Sequence, residues 1–468
     1  MKKEKTVQPK ISQVIQKDPI AAIATPIGEG GIAVVRVSGK GAIKLVNKAF
    51  EGTDLTEQAS HTVHYGKLVD KRDQLVDEVL VTLFHSPRSY TGEETIEISC
   101  HGGVLVTQDV LETVLALGVR SAEPGEFTQR AFLNGKMELS QAEAVADLIH
   151  AKSQKAIDAA QQQLEGRLGE HIRQFRQQII DATAMVELEL DFVEEDVEFA
   201  NKKELKRLLK ELDSEINKLL ATYETGRLVK HGVRTVFIGL PNAGKSTLLN
   251  TLVGKDRAIV TDIAGTTRDT IDVDWSYEGL RFKLTDTAGL RETKDIIEAE
   301  GVKRSQKAFE EADLVVYLKD LSQQITVDER EDIARFQKNA GNTPFLLIGT
   351  KNDITKNIED KRLDYDLKIS ALEGEKIEEL KKLMKQRALE SKHYDSSSLL
   401  VTSSRHRDAL EKAQKHVHSA LQTLDRGMTG DFLSIDLRSA LKDLGTITGE
   451  ITTEDILDSI FSRFCIGK

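Results

Sequence analysis

The 468-residue sequence has only two cysteines, no excess of basic charge and no apolar run long enough for a bilayer. Cys100 and Cys465 lie far apart and outside any metal-ligand spacing. This excludes a disulfide framework and a cysteine zinc site, and fits a reducing compartment. With no run near the roughly 20 apolar residues that span a bilayer, no transmembrane helix is predicted. The first 18 residues mix Lys2, Lys3, Lys5 and Lys10 with Glu4 and Asp18 and lack an apolar centre, so they read as the ragged start of a cytoplasmic chain. A formal net charge of -11 is unlike the basic field of a nucleic-acid binder, so any RNA contact must be local or shared with a partner. Tandem repeats and low-complexity segments are absent.

What is present is a soluble, globular balance of 39% hydrophobic and 30% charged residues, in a chain long enough for about three cores. Residues 20 to 135 alternate short β-rich runs with Gly-containing turns and a helical stretch near Val106 to Leu117, which predicts an α+β domain. From Ser140 the period changes. Ser140 and Glu143 read as a capping box with Leu139 as staple, and Leu164, Leu168, Ile172, Phe175 and Ile179 recur at intervals of three and four. Residues 232 to 395 alternate apolar strands with helical segments, the pattern of a doubly wound α/β sheet. Helical spacing returns at Leu410, Ala413, Val417, Leu421 and Leu424. The economical division is 1–136, an α+β domain; 137–228 and 397–468, one helical domain in two segments; and 229–396, an inserted α/β domain. The fold class is multidomain α+β.

Gly239-Leu-Pro-Asn-Ala-Gly-Lys-Ser246 follows an apolar strand and precedes a helical run, the context a phosphate loop requires. Its glycines let backbone N–H groups face a β-phosphate, Lys245 bridges β and γ oxygens, and Ser246 reaches Mg²⁺. The competing reading is a Gly-rich turn with no ligand. Asp286-Thr-Ala-Gly289 supplies a carboxylate for the magnesium shell and an N–H near the γ-phosphate, and Thr267 in Gly265-Thr-Thr-Arg-Asp269 is the candidate switch hydroxyl. Base choice rests on Thr350-Lys-Asn-Asp353. Asp353 accepts from the paired N–H donors of guanine, Lys351 lies over the base with its methylene stem, and Ser370-Ala371 meets the guanine carbonyl with a backbone N–H. Thr350 stands where the usual signal has Asn, which leaves open whether this position still ties the base-reading segment to the phosphate loop. Leu290 occupies the place of a water-orienting glutamine. Water must therefore be positioned otherwise, with Asn242, a monovalent cation beside it, and Glu298 as candidates.

At these residues the chain resembles the MnmE (TrmE) family of tRNA-modification GTPases, over nearly its whole length. The resemblance rests on Ala24-Thr-Pro, Gly28 to Gly39, Pro124-Gly-Glu-Phe, Arg130-Ala-Phe-Leu-Asn134, Thr261 to Asp269 and the terminal Cys465-Ile-Gly-Lys468. It implies an N-terminal folate-binding domain similar to the aminomethyltransferase fold, a split helical domain, and an inserted Ras-like P-loop G domain that dimerises across its active site. The nucleotide contacts it implies are Asn242, Ala243, Gly244, Lys245, Ser246 and Thr247 in the phosphate loop. Thr261, Asp262, Ile263, Ala264, Gly265, Thr266 and Thr267 follow in the switch. Asp286, Thr287, Ala288 and Gly289 complete the phosphate side, and Lys351, Asp353, Ser370 and Ala371 the base side. Magnesium is implied on Ser246 and Thr267, and potassium on Asn242 with Thr261, Ile263 and Thr266. Asn242, Lys245 and Glu298 are implied in hydrolysis. Arg36, Glu97, Lys136 and Lys468 are implied contacts to a reduced folate of the 5-formyl or 5,10-methylene tetrahydrofolate type, although without the resemblance each reads as an ordinary surface charge.

The resemblance further implies a homodimer through the N-terminal domain, a flavoprotein partner of the MnmG (GidA) type in a heterotetramer-like complex, and aminomethyl-type modification of carbon 5 of a tRNA wobble uridine. The rivals are a ribosome-assembly or other regulatory GTPase switch without modifying activity, and a folate-dependent methyltransferase with a vestigial G domain. Cys465 and His101 are chemically suggestive but receive no catalytic role.

Overall fold

The computed structural model describes residues 18–191, 202–254, 272–286, 306–354, 363–390, 399–426 and 430–468. They form two compact units, one drawn from Met1–Ile149, Gln163–Leu209 and Lys415–Lys468, the other from His150–Gln162 and Lys210–Gln414.

The first unit is built on a seven-stranded sheet, ordered β3-β4-β5-β6-β2-β1-β7. Its strands are β1 (Ile20–Ile23), β2 (Ile32–Ser38), β3 (Phe50–Glu51), β4 (Thr62–Val69), β5 (Leu75–Phe84), β6 (Thr95–His101) and β7 (Arg120–Ser121). All pairings are antiparallel except β1 with β7. Period-two alternation sends Ala33, Val35 and Val37 of β2 and Ile96, Ile98 and Cys100 of β6 into one core. That face is covered by the helix Val104–Leu115, whose Thr107, Val110 and Val114 are buried at helical spacing. On the opposite face the register sets Arg36 beside Glu97 and Ile32 beside His101.

Within the same unit, the helix Arg167–Asp191 buries Leu168, Ile172, Phe175, Ile179, Ala182 and Val186, extending the predicted stripe by two turns, whereas Leu164 of that stripe ends the preceding helix, Gln154–Leu164, and is only half-buried. It packs against the helix Gly430–Thr448. Arg176 Nη1 donates to the Leu441 carbonyl at 3.2 Å, and a Cβ on Gly445 would lie 2.3 Å from that same guanidinium. Helical segments more than 200 residues apart therefore share one interface. The capping box is displaced. The helix begins at Leu139, so Ser140 is already inside its first turn, and it is the Glu138 N–H that donates to Gln141 Oε1 at 2.9 Å.

The second unit holds a six-stranded sheet ordered β13-β12-β11-β8-β10-β9. The strands are β8 (Val233–Ile238), β9 (Asp272–Tyr277), β10 (Leu280–Asp286), β11 (Leu314–Asp320), β12 (Phe345–Thr350) and β13 (Leu367–Lys368). Every pairing is parallel except β9 with β10. Strand β11 is buried along its whole length, as a central parallel strand covered on both faces must be. The carboxyl ends of β8, β11 and β12 therefore converge at one edge, where open α/β sheets bind ligands. No helix among the described residues is long and apolar enough to cross a membrane.

Candidate functional site

At the carboxyl end of β8 the chain turns sharply into the helix Lys245–Gly254. Gly239 has no room for a side chain, since a Cβ there would stand 2.4 Å from the Leu318 carbonyl oxygen. Asn242 (φ 63°) and Gly244 (φ 90°) both adopt left-handed backbone, which turns the loop back on itself. Lys245 Nζ donates to the carbonyls of Gly239 at 2.9 Å and Leu240 at 3.1 Å, so its ammonium arches over the loop. Ser246 and Thr247 are exposed on the first helical turn, while Ala243 is buried. Parallel pairing sets the backbone of Asp286, the last residue of β10, beside Phe237 in β8. The side chain of Asp286 and all of Thr261, Asp262, Ile263, Ala264, Gly265, Thr266, Thr267, Thr287, Ala288, Gly289, Leu290 and Glu298 lie outside the described residues.

The segment predicted to read the base, Thr350 to Asp353, starts at the end of β12. Thr350 is 1% exposed, and its hydroxyl faces two acceptors, the Ala243 carbonyl at 2.8 Å and the Lys319 carbonyl at 3.1 Å. The open question at this position is thereby answered: a threonine hydroxyl ties the base-reading strand end to the phosphate loop. Lys351 (φ 60°) directs its ammonium to Asp320 Oδ2 at 2.7 Å. Burial opposes ionisation of Asp320, but hydrogen bonds from Lys351 and Ser322 outweigh it and hold its carboxyl below the usual carboxylate range. Asp353 is exposed at the segment's end. Ser370 and Ala371 are buried, and Thr251 Oγ1, on the helix launched by the phosphate loop, donates to the Ala371 carbonyl at 2.9 Å. Phosphate loop, base-reading segment and Ser370-Ala371 thus form one hydrogen-bonded surround. Asp320 and Thr251 were not among the sequence candidates. The only sign of Asp320 in the sequence is a charged pair, Lys319-Asp320, closing an apolar strand.

The first unit carries a second constellation. Arg36 Nε donates to Glu97 Oε1 at 2.9 Å, and Arg36 Nη1 donates to the Gly467 carbonyl at 3.3 Å. The guanidinium lies 5.6 Å from the Tyr90 ring centre and 5.7 Å from that of Phe127. Burial, then the charge of Arg36, pushes the Lys468 ammonium down from its ordinary pKa, against the opposing pull of Glu97 and Cys465. Arg36, Glu97 and Lys468 are therefore brought together. Lys136 donates to the Pro87 carbonyl at 3.1 Å, on the loop that continues to Tyr90. Behind this cluster the buried Arg130 donates to Glu126 at 2.8 Å and Glu93 at 3.2 Å, anchoring the helix Glu126–Leu133 that presents Phe127. Two cations against one carboxylate, beside the partly exposed Tyr90 ring, suit an anionic ligand, while the fully buried Phe127 backs the guanidinium. Cys100 is buried, with its thiol pushed up by burial, whereas Cys465 is exposed.

Comparison with known proteins gives matches along nearly the whole chain. A family model described as the MnmE helical domain matches residues 139–465, and one described as the GTP-binding protein TrmE N-terminus matches residues 19–136. The chain is similar to a protein of Salinibacter ruber, at 47% identity over 97% of this chain and 100% of that one. It is likewise similar to proteins of Cytophaga hutchinsonii, at 45% over 96% and 98%, and Clostridioides difficile, at 44% over 96% and 99%. Each of these relatives is named tRNA modification GTPase MnmE. With matches of this depth along its whole length, the chain belongs to the MnmE family of tRNA modification GTPases.

Proposed function

We propose that this chain is a cytoplasmic, potassium-dependent GTPase that acts with a flavoprotein partner and a reduced folate to place a carboxymethylaminomethyl-type group on carbon 5 of the wobble uridine of certain tRNAs. The observation that carries the reading is the docking of the Gly467 carbonyl on Arg36, beside Glu97, in a chain that also holds a phosphate loop. A regulatory switch has no use for such a cluster.

The residues present fit the groups the reaction needs. The exposed Ser246 hydroxyl, at the start of a helix whose N-terminus favours anionic phosphates, would hold Mg²⁺ together with Thr267 and Asp286. The magnesium ion supplies charge neutralisation of the phosphates. Asn242, projecting from left-handed backbone in the loop, would hold K⁺ with Thr261, Ile263 and Thr266. Lys245 would leave its two loop carbonyls for the β and γ oxygens, Asp353 would accept from the guanine edge, and Glu298 would position water. In the first unit, Arg36, Lys136 and Lys468 would pair with folate carboxylates, and Glu97 would accept from the pterin. Two copies would associate through the N-terminal unit. The exposed sheet face supports this, since it carries Val63, Tyr65 and Leu80 beside the Arg36 cluster, with Tyr65 and Leu80 directly paired.

The test compares wobble-uridine nucleosides, by mass spectrometry of digested bulk tRNA, in cells without the gene and in cells rescued by wild type or Lys245→Ala. The expected result is loss of 5-substituted uridines, restored by wild type alone, together with hydrolysis by the purified protein that slows strongly when Na⁺ replaces K⁺. An unchanged nucleoside profile would remove the tRNA role, and equal rates in the two salts would remove the potassium site.

A further inference from the structure

Beside the base-reading segment lies a buried ion pair that the nucleotide motifs do not include. Lys319 and Glu329 are each 2% exposed, and their charged atoms approach to 3.3 Å. The Lys319 ammonium also donates to the carbonyls of Asp320 at 2.7 Å and Gln323 at 3.0 Å, so its three protons are met inside the protein. A buried pair of this kind adds little net stability over an apolar pair of similar volume, because desolvation offsets the attraction. Its effect is geometric. It closes the turn after β11 and pins it to the helix Val327–Ala340, whose N-cap Thr326 accepts from the Glu329 N–H at 3.1 Å.

The turn held in this way presents Asp320. Its Oδ1 accepts from the Ser322 N–H at 2.9 Å and the Ser322 hydroxyl at 2.6 Å, leaving Oδ2 for the Lys351 ammonium at 2.7 Å. Lys351 needs such an anchor, because its φ of 60° is a conformation that side-chain-bearing residues rarely adopt. Lys319 acts from the other side as well, since its carbonyl accepts from the Thr350 hydroxyl at 3.1 Å.

We propose that the Lys319–Glu329 pair and Asp320 form a positioning device for the lysine that covers the guanine face: the pair fixes the turn, Asp320 fixes the Lys351 ammonium, and the Lys351 stem is thereby held across the base. The inference rests on Thr350 to Asp353 being the base-reading segment. A stem lying over a ring face contacts any purine alike, whereas Asp353 reads the edge. The device therefore sets affinity without setting base choice.

Full-length protein is titrated with a fluorescent GDP labelled on the ribose, and unlabelled GDP and xanthosine diphosphate compete. The variants are Asp320→Asn, the double Lys319→Met with Glu329→Leu, and Asp353→Asn as control. The double change removes both buried charges together at similar volume, so neither charge is left unpaired, and far-UV circular dichroism checks that the variant folds. Asp320→Asn and the double variant are each expected to weaken GDP about tenfold, the scale of one charge-assisted contact, with the ratio of guanine to xanthine affinity unchanged within about twofold. Asp353→Asn is expected to reverse that ratio. GDP affinity within about twofold of wild type in both test variants, alongside a control that does switch toward xanthine, overturns the proposal and leaves the base-reading assignment standing. A lowered thermal midpoint in the double variant with unchanged GDP affinity assigns the pair to stability alone and also overturns it. A control that keeps its guanine preference removes the assignment and the proposal together.

Discussion

Thr350 shows how a single side chain joins two loops 107 residues apart in sequence. Its one hydroxyl proton serves the Ala243 and Lys319 carbonyls, both in a dry environment where an acceptor without a donor is costly. Thr350→Val keeps the branched shape and removes the proton. It is expected to weaken GDP about five- to tenfold, or roughly 1 to 1.4 kcal/mol, in the same fluorescence titration. Thr350→Asn, which carries its own N–H donors, is expected to bind close to wild type. Equal affinity for Thr350→Val and wild type would mean that the tie does not shape the nucleotide site. The departure from the usual Asn was visible in the sequence. Its consequence was not, because it depends on where the Ala243 carbonyl points.

Between elements, Asp313 performs a comparable task at the entrance to β11. It is buried, and accepts from Arg227 on the helix Tyr223–His231 at 2.8 Å and from both the backbone N–H (2.9 Å) and Nε (3.2 Å) of Arg234 in β8. Burial alone would raise its pKa, but the hydrogen bonds from Arg234 and Arg227 outweigh that and lower it below the ordinary 3.8. A carboxyl whose folded pKa is depressed contributes stability that is complete above its unfolded pKa and lost as pH falls through the folded value. Asp313→Asn is accordingly expected to destabilise the second unit by about 2 kcal/mol near neutrality in urea unfolding. The gap from wild type should narrow below about pH 4, and a gap independent of pH would refute the linkage. The central strands at β8, β10, β11 and β12 were legible because apolar runs between turn signals leave few alternatives. Strand β9 has no such apolar run. Its Asp272-Val-Asp-Trp-Ser-Tyr277 run is polar at every second position and, among the described residues, pairs on one side only, with β10. Such an edge strand is defined by its neighbour more than by its own composition. The Ser140 capping box failed for a similar reason: Gln141 supplies the contact to the Glu138 N–H, and the helix starts earlier than the pattern suggested.

Across the first unit as a whole, the chain's last residues return to its first strands. Gly467 adopts φ 97°, and a Cβ on it would stand 2.2 Å from the Ile23 carbonyl oxygen at the end of β1. Gly125 also meets the helix Glu454–Phe461 closely, its Cβ position lying 2.7 Å from the Phe461 carbonyl oxygen. Gly467→Val is therefore expected to lift the tail from Arg36 and to weaken binding of a reduced folate at least about tenfold by calorimetry, with GDP affinity unchanged. Folate binding equal to wild type would separate the tail from the ligand. The glycine-rich turn and the Thr350 to Asp353 segment were readable as candidates from the sequence alone, because a few contiguous residues make each of them. The cluster of Arg36, Glu97 and Lys468 was not readable as a site without the family resemblance. Its members are 61 residues apart across a strand pair and 431 apart at the tail contact, and each looks like an ordinary surface charge until register and packing bring them together. The buried Lys319–Glu329 pair was invisible in the same way, since a lysine and a glutamate ten positions apart acquire a meaning only when a strand end and a helix start enclose them both.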